Sequence, residues 1–233
     1  MMVGKGVEDI NIKMPEDAHD IGSYVPTFNI YLTAIVRDSE GKIIKVHRQR
    51  SHSPTANFMA LFLPISYFST NNASLTITNT TGGTCNFSPA LSTSAQNIPY
   101  PSTGAYYPTY LVMIQVGSGQ QSNPYNAYSL AAPIANGSGA GQLVYQSVTR
   151  PSNITINGNT AYFYITQTYN NLSGGTVTIT EVGIILYLIT AVYNTSHYTM
   201  CNNLLVWYDV LSSAISVPNA GSVTIYYTFT VNP

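Results

Sequence analysis

Two carboxylates, Glu181 and Asp209, are the only acidic side chains after residue 50, and each lies inside an apolar stretch. A buried charge is costly unless it is paired or hydrogen-bonded, so each carboxylate needs a defined partner. Period-two alternation points Glu181 the same way as its apolar neighbours. Arg150 is the only basic residue left in that part of the chain, and we predict a Glu181–Arg150 ion pair. The alternative is a Glu181 at an exposed strand end that accepts hydrogen bonds from backbone amides.

Other catalytic arrangements have little support in the sequence. Glu181 and Asp209 could form the carboxylate pair of a glycosidase only if the fold brings them together. The histidines, at positions 19, 47, 52 and 197, lack the spacing of metal ligands. No G-x-S-x-G elbow occurs, and Gly117-Ser118-Gly119 lacks the lysine and the third glycine of nucleotide-binding loops. We therefore predict no catalytic residue, no cofactor and no metal site.

The elements that must position these side chains are β-strands. In Ser222–Val231, apolar residues alternate strictly with mainly hydroxyl-bearing ones, which is typical of a half-buried strand. Residues 184–189 are all apolar, which predicts a strand covered on both faces. Further strands are predicted in a hairpin, Phe28–Arg37 and Lys42–Arg50, and at Leu75–Thr78, Tyr110–Val116, Leu143–Thr149, Ala161–Thr168 and Leu204–Leu211. We predict an all-β fold, an antiparallel, jelly-roll-like β-sandwich with long loops rich in Tyr, Ser and Asn.

At most one short helix is predicted. Ser53 can cap it and Pro54 can occupy its first position. Its apolar face comprises Phe58, Met59, Leu61 and Phe62, and it ends before Pro64.

The predicted domain organisation has three parts. An extended N-terminal arm spans residues 1–26, and a single β-sandwich domain spans residues 27–233, with a long loop insertion at about 69–108. We interpret the arm as a segment that becomes ordered on a neighbouring subunit; the alternative is a disordered tail.

Charge is concentrated at the start of the chain, where 14 of the 17 charged residues lie in the first 50 positions. Ordinary soluble domains are about 25% charged, whereas this chain is 7% charged. Such a surface suits a protein that is covered by neighbours, coated with sugar or exposed to acid outside the cell. The net charge of −1 predicts no specific nucleic-acid partner. A basic strip in the second strand is interpreted as a solvated face and not a phosphate site: Lys42, Lys45, His47, Arg48 and Arg50.

Membrane insertion and covalent modification give further expectations. The longest uncharged apolar run, around Val182–Tyr193, is shorter than the roughly 20 residues of a transmembrane helix, and the first 13 residues lack a signal-peptide core. Cys85 and Cys201 form either one long-range disulfide or two buried thiols. Sequons for glycosylation occur at Asn72, Asn79, Asn86, Asn136, Asn153, Asn171 and Asn194.

Four segments, taken in order, resemble a pattern in virion structural proteins of double-stranded DNA viruses. They are VGSG (Val116–Gly119), YSLAAPI (Tyr128–Ile134), SGGTVTITEVGI (Ser173–Ile184) and a terminal hairpin in Asp209–Val231. The bias to Tyr, Asn, Thr and Ile is similar to that of viruses infecting hyperthermophilic archaea. The resemblance implies a jelly-roll-like turret, vertex, tail-adaptor or minor capsid subunit in which Glu181 and Asp209 are structural.

We therefore expect a non-enzymatic structural subunit of a virus particle, assembled in the host cytoplasm and then extracellular. Its partners are expected to be copies of itself and other virion proteins, with glycans as further ligands. One alternative is a subunit of an archaeal extracellular filament joined by strand donation. Another is a carbohydrate-binding β-sandwich for host attachment, with exposed tyrosines stacking on sugars; Trp207, in mid-strand, is interpreted as a core residue.

Overall fold

The computed structural model describes residues 27–51, 53–60, 75–87, 112–151, 153–190 and 199–232. Their strands are β1 (Thr27–Arg37), β2 (Ile43–Arg50), β3 (Leu75–Thr78), β4 (Thr84–Phe87), β5 (Val112–Gly117), β6 (Val144–Tyr145), β7 (Thr155–Asn157), β8 (Thr160–Asn170), β9 (Val177–Thr190), β10 (Thr199–Val217) and β11 (Ser222–Asn232). Residues 56–60 form a helical turn, and Pro124–Asn126 form a 3₁₀ turn. Among these residues, no helix has the length and apolarity needed to span a membrane.

The strands form two main sheets with antiparallel pairing throughout. The larger sheet has the order β2-β1-β11-β8-β6, with β7 also paired to β8, and the smaller has the order β10-β9-β5. β3 and β4 form a separate hairpin. The predicted all-β, antiparallel sandwich is therefore confirmed.

The core lies between the two main sheets and follows from period-two alternation. In β1, Ile30, Leu32, Ala34 and Val36 are buried, and the residues between them are partly exposed. These side chains share one cluster with inward-facing residues of the smaller sheet, which include Ile114, Ile179, Ile184, Leu204 and Ile215. The alternation visible in the sequence therefore predicts which side chains of β1 belong to the core.

The smaller sheet is covered on both faces. Ile184 belongs to the main core, whereas Ile185 belongs to a second buried cluster with Leu130, Leu205 and Tyr208. The second cluster lies under the loop that follows β5. The predicted double coverage of this strand is confirmed for these two residues.

The predicted terminal hairpin is wrong. β10 pairs with β9, whereas β11 pairs with β1 and β8 in the other sheet. The turn at residues 218–221 therefore carries the chain across the sandwich. Alternating apolar patterns in two consecutive strands are equally compatible with side-by-side pairing and with face-to-face packing.

Several element boundaries differ from the predicted ones. β3 and the β1–β2 hairpin lie where predicted, but β4 and β7 were not anticipated, and only Val144–Tyr145 forms a strand in the region 143–149. β10 is longer than predicted. Three register shifts interrupt its alternation, so the sequence pattern indicates only its middle part.

The helical turn has only part of its predicted apolar face. Phe58 packs edge-on against Trp207, with ring centroids 5.1 Å apart. Met59 is 55% exposed, so its predicted burial is wrong. Leu61, Phe62 and Pro64, the arm 1–26, and much of the 69–108 insertion lie outside the described residues.

Candidate functional site

Glu181 occupies a fully buried site on the outer face of β9, beneath the loop that follows β5. Its Oε1 accepts hydrogen bonds from the backbone amides of Gly119 (3.2 Å) and Ala132 (2.7 Å). Its Oε2 accepts from the Ala131 amide (2.9 Å) and the Tyr208 hydroxyl (2.8 Å). Four donors therefore solvate the carboxylate, as water would do outside the protein.

The predicted ion pair between Glu181 and Arg150 does not form. Arg150 is exposed, and the carboxylate is held by amide and hydroxyl donors. The alternative was right about backbone amides, but the site is buried and not at an exposed strand end. The three amide donors come from the loop after β5, 49 to 62 residues earlier in the chain, and the hydroxyl donor comes from β10. No local pattern at Glu181 indicates that this loop covers it.

The Gly117-Ser118-Gly119 segment has a structural explanation at this site. A Cβ on Gly117 would overlap Oε1 of Glu181 and lie 2.7 Å from the carbonyl oxygen of Ala132. A Cβ on Gly119 would lie 2.8 Å from the Ala132 nitrogen. These glycines therefore allow the backbone to approach the carboxylate closely.

Asp209 is buried on the inner face of β10. Its Oδ2 accepts hydrogen bonds from the Ser51 hydroxyl (2.5 Å) and from the Tyr227 hydroxyl (2.8 Å). The Ser51 oxygen in turn accepts from Nε1 of Trp207. Tyr227 lies on β11 in the larger sheet, so this network joins the two sheets through the core.

The two carboxylates do not form a glycosidase site. Asp209 lies opposite Val182, and Glu181 lies opposite Val210. Consecutive positions in a strand point to opposite faces, so the two side chains lie on opposite sides of one sheet. Hydrolysis of a glycosidic bond requires both groups to flank the same bond. Each carboxylate instead accepts hydrogen bonds from its own set of neighbours within the fold.

We expect Asp209→Asn to lower the free energy of unfolding by about 2–4 kcal/mol, since the neutral amide weakens the buried hydrogen bonds from Ser51 and Tyr227. Urea unfolding, followed by circular dichroism and by the fluorescence of the single Trp, measures this loss. Asp38→Asn is the matched control, because the Oδ1 of Asp38 also accepts two hydrogen bonds, in an exposed turn. Equal losses in the two variants would contradict a special role for the Asp209 network.

Side chains of the larger sheet form hydrogen bonds with backbone groups along the free edge of β5. The Ile114 amide donates to Oε1 of Gln167 (2.8 Å), and the Tyr169 hydroxyl donates to the Ile114 carbonyl oxygen (2.7 Å). The Val116 amide donates to the hydroxyl oxygen of Tyr145 (3.4 Å). These bonds use backbone groups that a further strand would otherwise pair with.

Burial raises the pKa of four tyrosines. The pKa of Tyr145 rises to about 12, although a backbone hydrogen bond at Val116 opposes the shift. Burial raises the pKa of Tyr169 and Tyr227 well above the usual value of 10.0, and the carboxylate of Asp209 adds to the shift at Tyr227. Burial also raises the pKa of Tyr208, with a smaller contribution from Glu181. All four therefore act as neutral hydroxyl groups at physiological pH.

A cleft of about 490 Å³ lies between β5 and the neighbouring edge of the larger sheet. Its polar lining is neutral and comprises Gln115, Asn136, Tyr145, Gln146, Ser147 and Gln167, beside apolar groups such as Met113 and Val148. The cleft can hydrogen-bond a neutral ligand, but its lining offers no carboxylate, imidazole or thiol for acid–base or nucleophilic catalysis.

The outer surface of the larger sheet is uncharged along β8 and β11, and β1 adds one charged residue, Arg37, at its end. We call this surface the hydroxyl face; it comprises Tyr31, Thr33, Tyr164, Thr166, Thr168, Thr224, Tyr226 and Thr228. The rings of Tyr164 and Tyr226 lie 6.0 Å apart, and Tyr164 is 43% exposed. The face therefore presents flat aromatic and hydroxyl area.

The basic strip of β2 is split between two faces, so its interpretation as one solvated face is wrong. His47 is buried, and Nζ of Lys45 donates to the carbonyl oxygen of Ala214 (2.7 Å) across the sandwich. Arg48 and Arg50 are exposed, with the Arg48 guanidinium 4.8 Å from the centre of the Tyr31 ring. The period of two separates residues that are adjacent in the sequence.

Asn171 is wrong as a glycosylation site because it is fully buried. Its Nδ2 donates to the carbonyl oxygens of Gly175 and Val217, and its Oδ1 accepts from Ser173. Asn136 and Asn153 are exposed. Asn79 holds a turn through its Oδ1. The remaining sequons and the disulfide stay predictions, because the side chains concerned lie outside the described part of the chain. They are Asn72, Asn86, Asn194, Cys85 and Cys201.

The fold and the site together define an all-β, two-sheet protein with two buried carboxylates that accept hydrogen bonds from within the fold. Among the described residues, no group of three His, Cys, Asp or Glu side chains could hold a metal ion. Comparison with protein families, curated proteins and solved structures finds no match to this chain.

Proposed function

We propose that the protein is a non-enzymatic structural subunit of a virus particle, in a turret, vertex, tail-adaptor or minor capsid position, and that it assembles through uncharged surfaces. The observation that carries this proposal is the distribution of charge. After residue 50 the chain has only Arg150, Glu181 and Asp209 as charged residues, and both acids are buried. Arg150 is therefore the only ionic group that this large part of the chain presents to its surroundings.

A surface without charged side chains is suited to a protein that stays in contact with other subunits. Charged residues are depleted at the centre of protein interfaces, where tyrosine is enriched. Ordinary soluble proteins use mixed surface charge to stay apart. The hydroxyl face has both features of an interface, since it is rich in tyrosine and poor in charge. Glu181 and Asp209 are buried and hydrogen-bonded within the fold, so neither is free to act on a substrate.

The oligomeric state of the purified protein tests this proposal. We expect light scattering to give a mass several times the 25.2 kDa of one chain, and electron microscopy to show closed rings or particles. Tyr164→Lys places a charge on the hydroxyl face and is expected to reduce the assembled fraction at least tenfold, because burying an unpaired cation at an interface is costly.

Tyr125→Lys is the matched control, since it makes the same change at a loop position that is 60% exposed. It should leave assembly unchanged. A wild-type protein that remains monomeric at all concentrations would contradict the proposal, and so would equal effects of the two substitutions.

The neutral cleft favours a second candidate function, carbohydrate binding in host attachment. Amide and hydroxyl side chains are suitable partners for a neutral sugar, and the lining carries no charge. A glycan array tests this candidate, with Gln146→Ala as the variant expected to abolish any specific signal. An array without hits would remove carbohydrate binding from consideration.

A further inference from the structure

β2 lies at the end of the larger sheet, so one of its edges has no neighbouring strand among the described residues. The Ser51 amide donates to the Ile30 carbonyl oxygen (2.8 Å), which sets the hydrogen-bonding alternation of the β1–β2 pair. Arg48 and Val46 occupy positions whose backbone groups then point away from β1. No described residue pairs with these groups, so β2 presents a strand edge able to accept another strand.

The edges of the smaller sheet are closed by comparison. Side chains of Gln167 and Tyr169 bind the backbone of β5. Residues 53–55 cover part of β10, because the Thr55 amide donates to the Val206 carbonyl oxygen and the Tyr208 amide donates to that of Ser53. By contrast, no described residue covers the outer edge of β2.

The side chains of β2 combine apolar area with positive charge. Ile44 and Val46 are 51% and 58% exposed, and Lys42, Lys45, Arg48 and Arg50 lie on or beside the strand. Two copies of β2 placed edge to edge would bring these cations together, which disfavours self-pairing. The edge therefore favours an acidic strand with apolar residues.

Residues 1–26 combine acidic residues with apolar ones. They contain five acidic residues and two basic ones, a net charge of 2 − 5 = −3. Ile10, Ile12 and Met14 alternate with Asn11 and Lys13, which is the pattern of a short strand.

We propose that the N-terminal segment of a second copy, within residues 1–26, adds as a strand to the β2 edge. This inference rests on the proposed function, because it adds a second contact between the subunits to the one through their uncharged surfaces. Main-chain hydrogen bonds to β2 supply affinity, and the opposite charges select the partner.

The path of the chain favours a second copy over the same chain. Arg50, the last residue of β2, pairs with Tyr31, close to where the chain enters β1 at Thr27. A segment of the same chain that ran antiparallel to β2 would have to begin at this end and then return along the whole strand. A neighbouring copy can supply the antiparallel strand without this return.

Reciprocal charge reversal tests the contact in the full-length protein. One variant carries Arg48→Glu and Arg50→Glu, and a second carries Asp9→Lys and Glu16→Lys. We expect each variant alone to dissociate at least tenfold more readily at low salt, as measured by light scattering and sedimentation. Arg150→Glu, a reversal at an exposed position away from β2, should leave the mass unchanged, and circular dichroism verifies that every variant is folded.

Combining the changes shows whether the two surfaces meet and in which chain. A variant with all four reversals should regain the wild-type mass, because attraction is restored with opposite signs. An equal mixture of the two reversed variants should also regain it, because each arm then finds a complementary edge on the other variant. Docking within one chain predicts that the mixture stays dissociated, which would overturn the proposal.

The outcomes separate this inference from the proposed function. If the reversals leave the mass unchanged while Tyr164→Lys dissociates the assembly, the β2 contact is wrong and the structural role stands. If the wild-type protein is always monomeric, both fail.

Discussion

Glu181→Gln is expected to lower the free energy of unfolding by about 3–5 kcal/mol, because the carboxylate that four donors surround is replaced by a neutral amide. The glutamine oxygen can accept from only part of this set. Its NH₂ group would face one or two of the backbone N–H donors, with which it cannot hydrogen-bond. Loosening this site should also detach the loop that covers Ile185 and Leu205.

Chemical denaturation measures the stability loss, and hydrogen exchange locates it. Amides of residues 119, 131 and 132 should lose protection first, because they donate to Glu181. Glu40→Gln makes the same substitution in an exposed turn and should change stability by less than about 0.5 kcal/mol. Unchanged protection of the three amides in Glu181→Gln would contradict the proposed role of this carboxylate.

Stability is expected to fall steeply above about pH 10, where tyrosines of the unfolded chain ionise. Tyr145, Tyr169, Tyr208 and Tyr227 have raised pKa values in the folded protein. The unfolded state therefore loses protons first, and rising pH favours unfolding. Their contribution is complete below pH 10 and declines as the pH rises towards the folded values, by about 1.4 kcal/mol per pH unit for each tyrosine.

Denaturation between pH 8 and 12 measures this dependence. Tyr169→Phe removes one buried ionisable group, so the slope of stability against pH should become shallower by about 1.4 kcal/mol per pH unit. At pH 8 the same variant should lose about 1–2 kcal/mol, since the hydroxyl no longer binds the Ile114 carbonyl oxygen. Tyr125→Phe, at a 60% exposed position, should leave the slope unchanged. An identical slope in Tyr169→Phe and the wild type would contradict the assignment.

The strands were predictable where one face meets the core and the other meets solvent. In β1 and β11 the alternation of apolar and polar residues coincides with the burial found in the structure. Trp207 was correctly interpreted as a core residue. β10 was only partly predictable, because three register shifts interrupt its alternation and residues 211–214 have no partners on β9. Local patterns describe a strand's faces but not its neighbours.

The hydrogen-bond partners of the carboxylates were not predictable for the same reason. The apolar surroundings of Glu181 in the sequence indicate an acid that needs a partner, and they leave both Arg150 and backbone amides open as that partner. The backbone amides that fill this role are present in every residue, so no side-chain pattern marks them. Gly117 and Gly119 were the available signal, since closely approaching backbone often requires glycine. Ser51 and Tyr227, the donors to Asp209, had no distinguishing feature at all.

The amino-acid sequence by itself determined the strand-forming segments, the first hairpin and the scarcity of charge after residue 50, because these depend on local periodicity and composition. Only the tertiary structure decided that β10 and β11 lie in different sheets, that the two carboxylates face opposite sides of β9 and β10, and that β1 is the one described strand that pairs with β2. Such relations depend on which distant segments pack together, and packing is set by the summed burial of the whole chain and not by any one stretch of it.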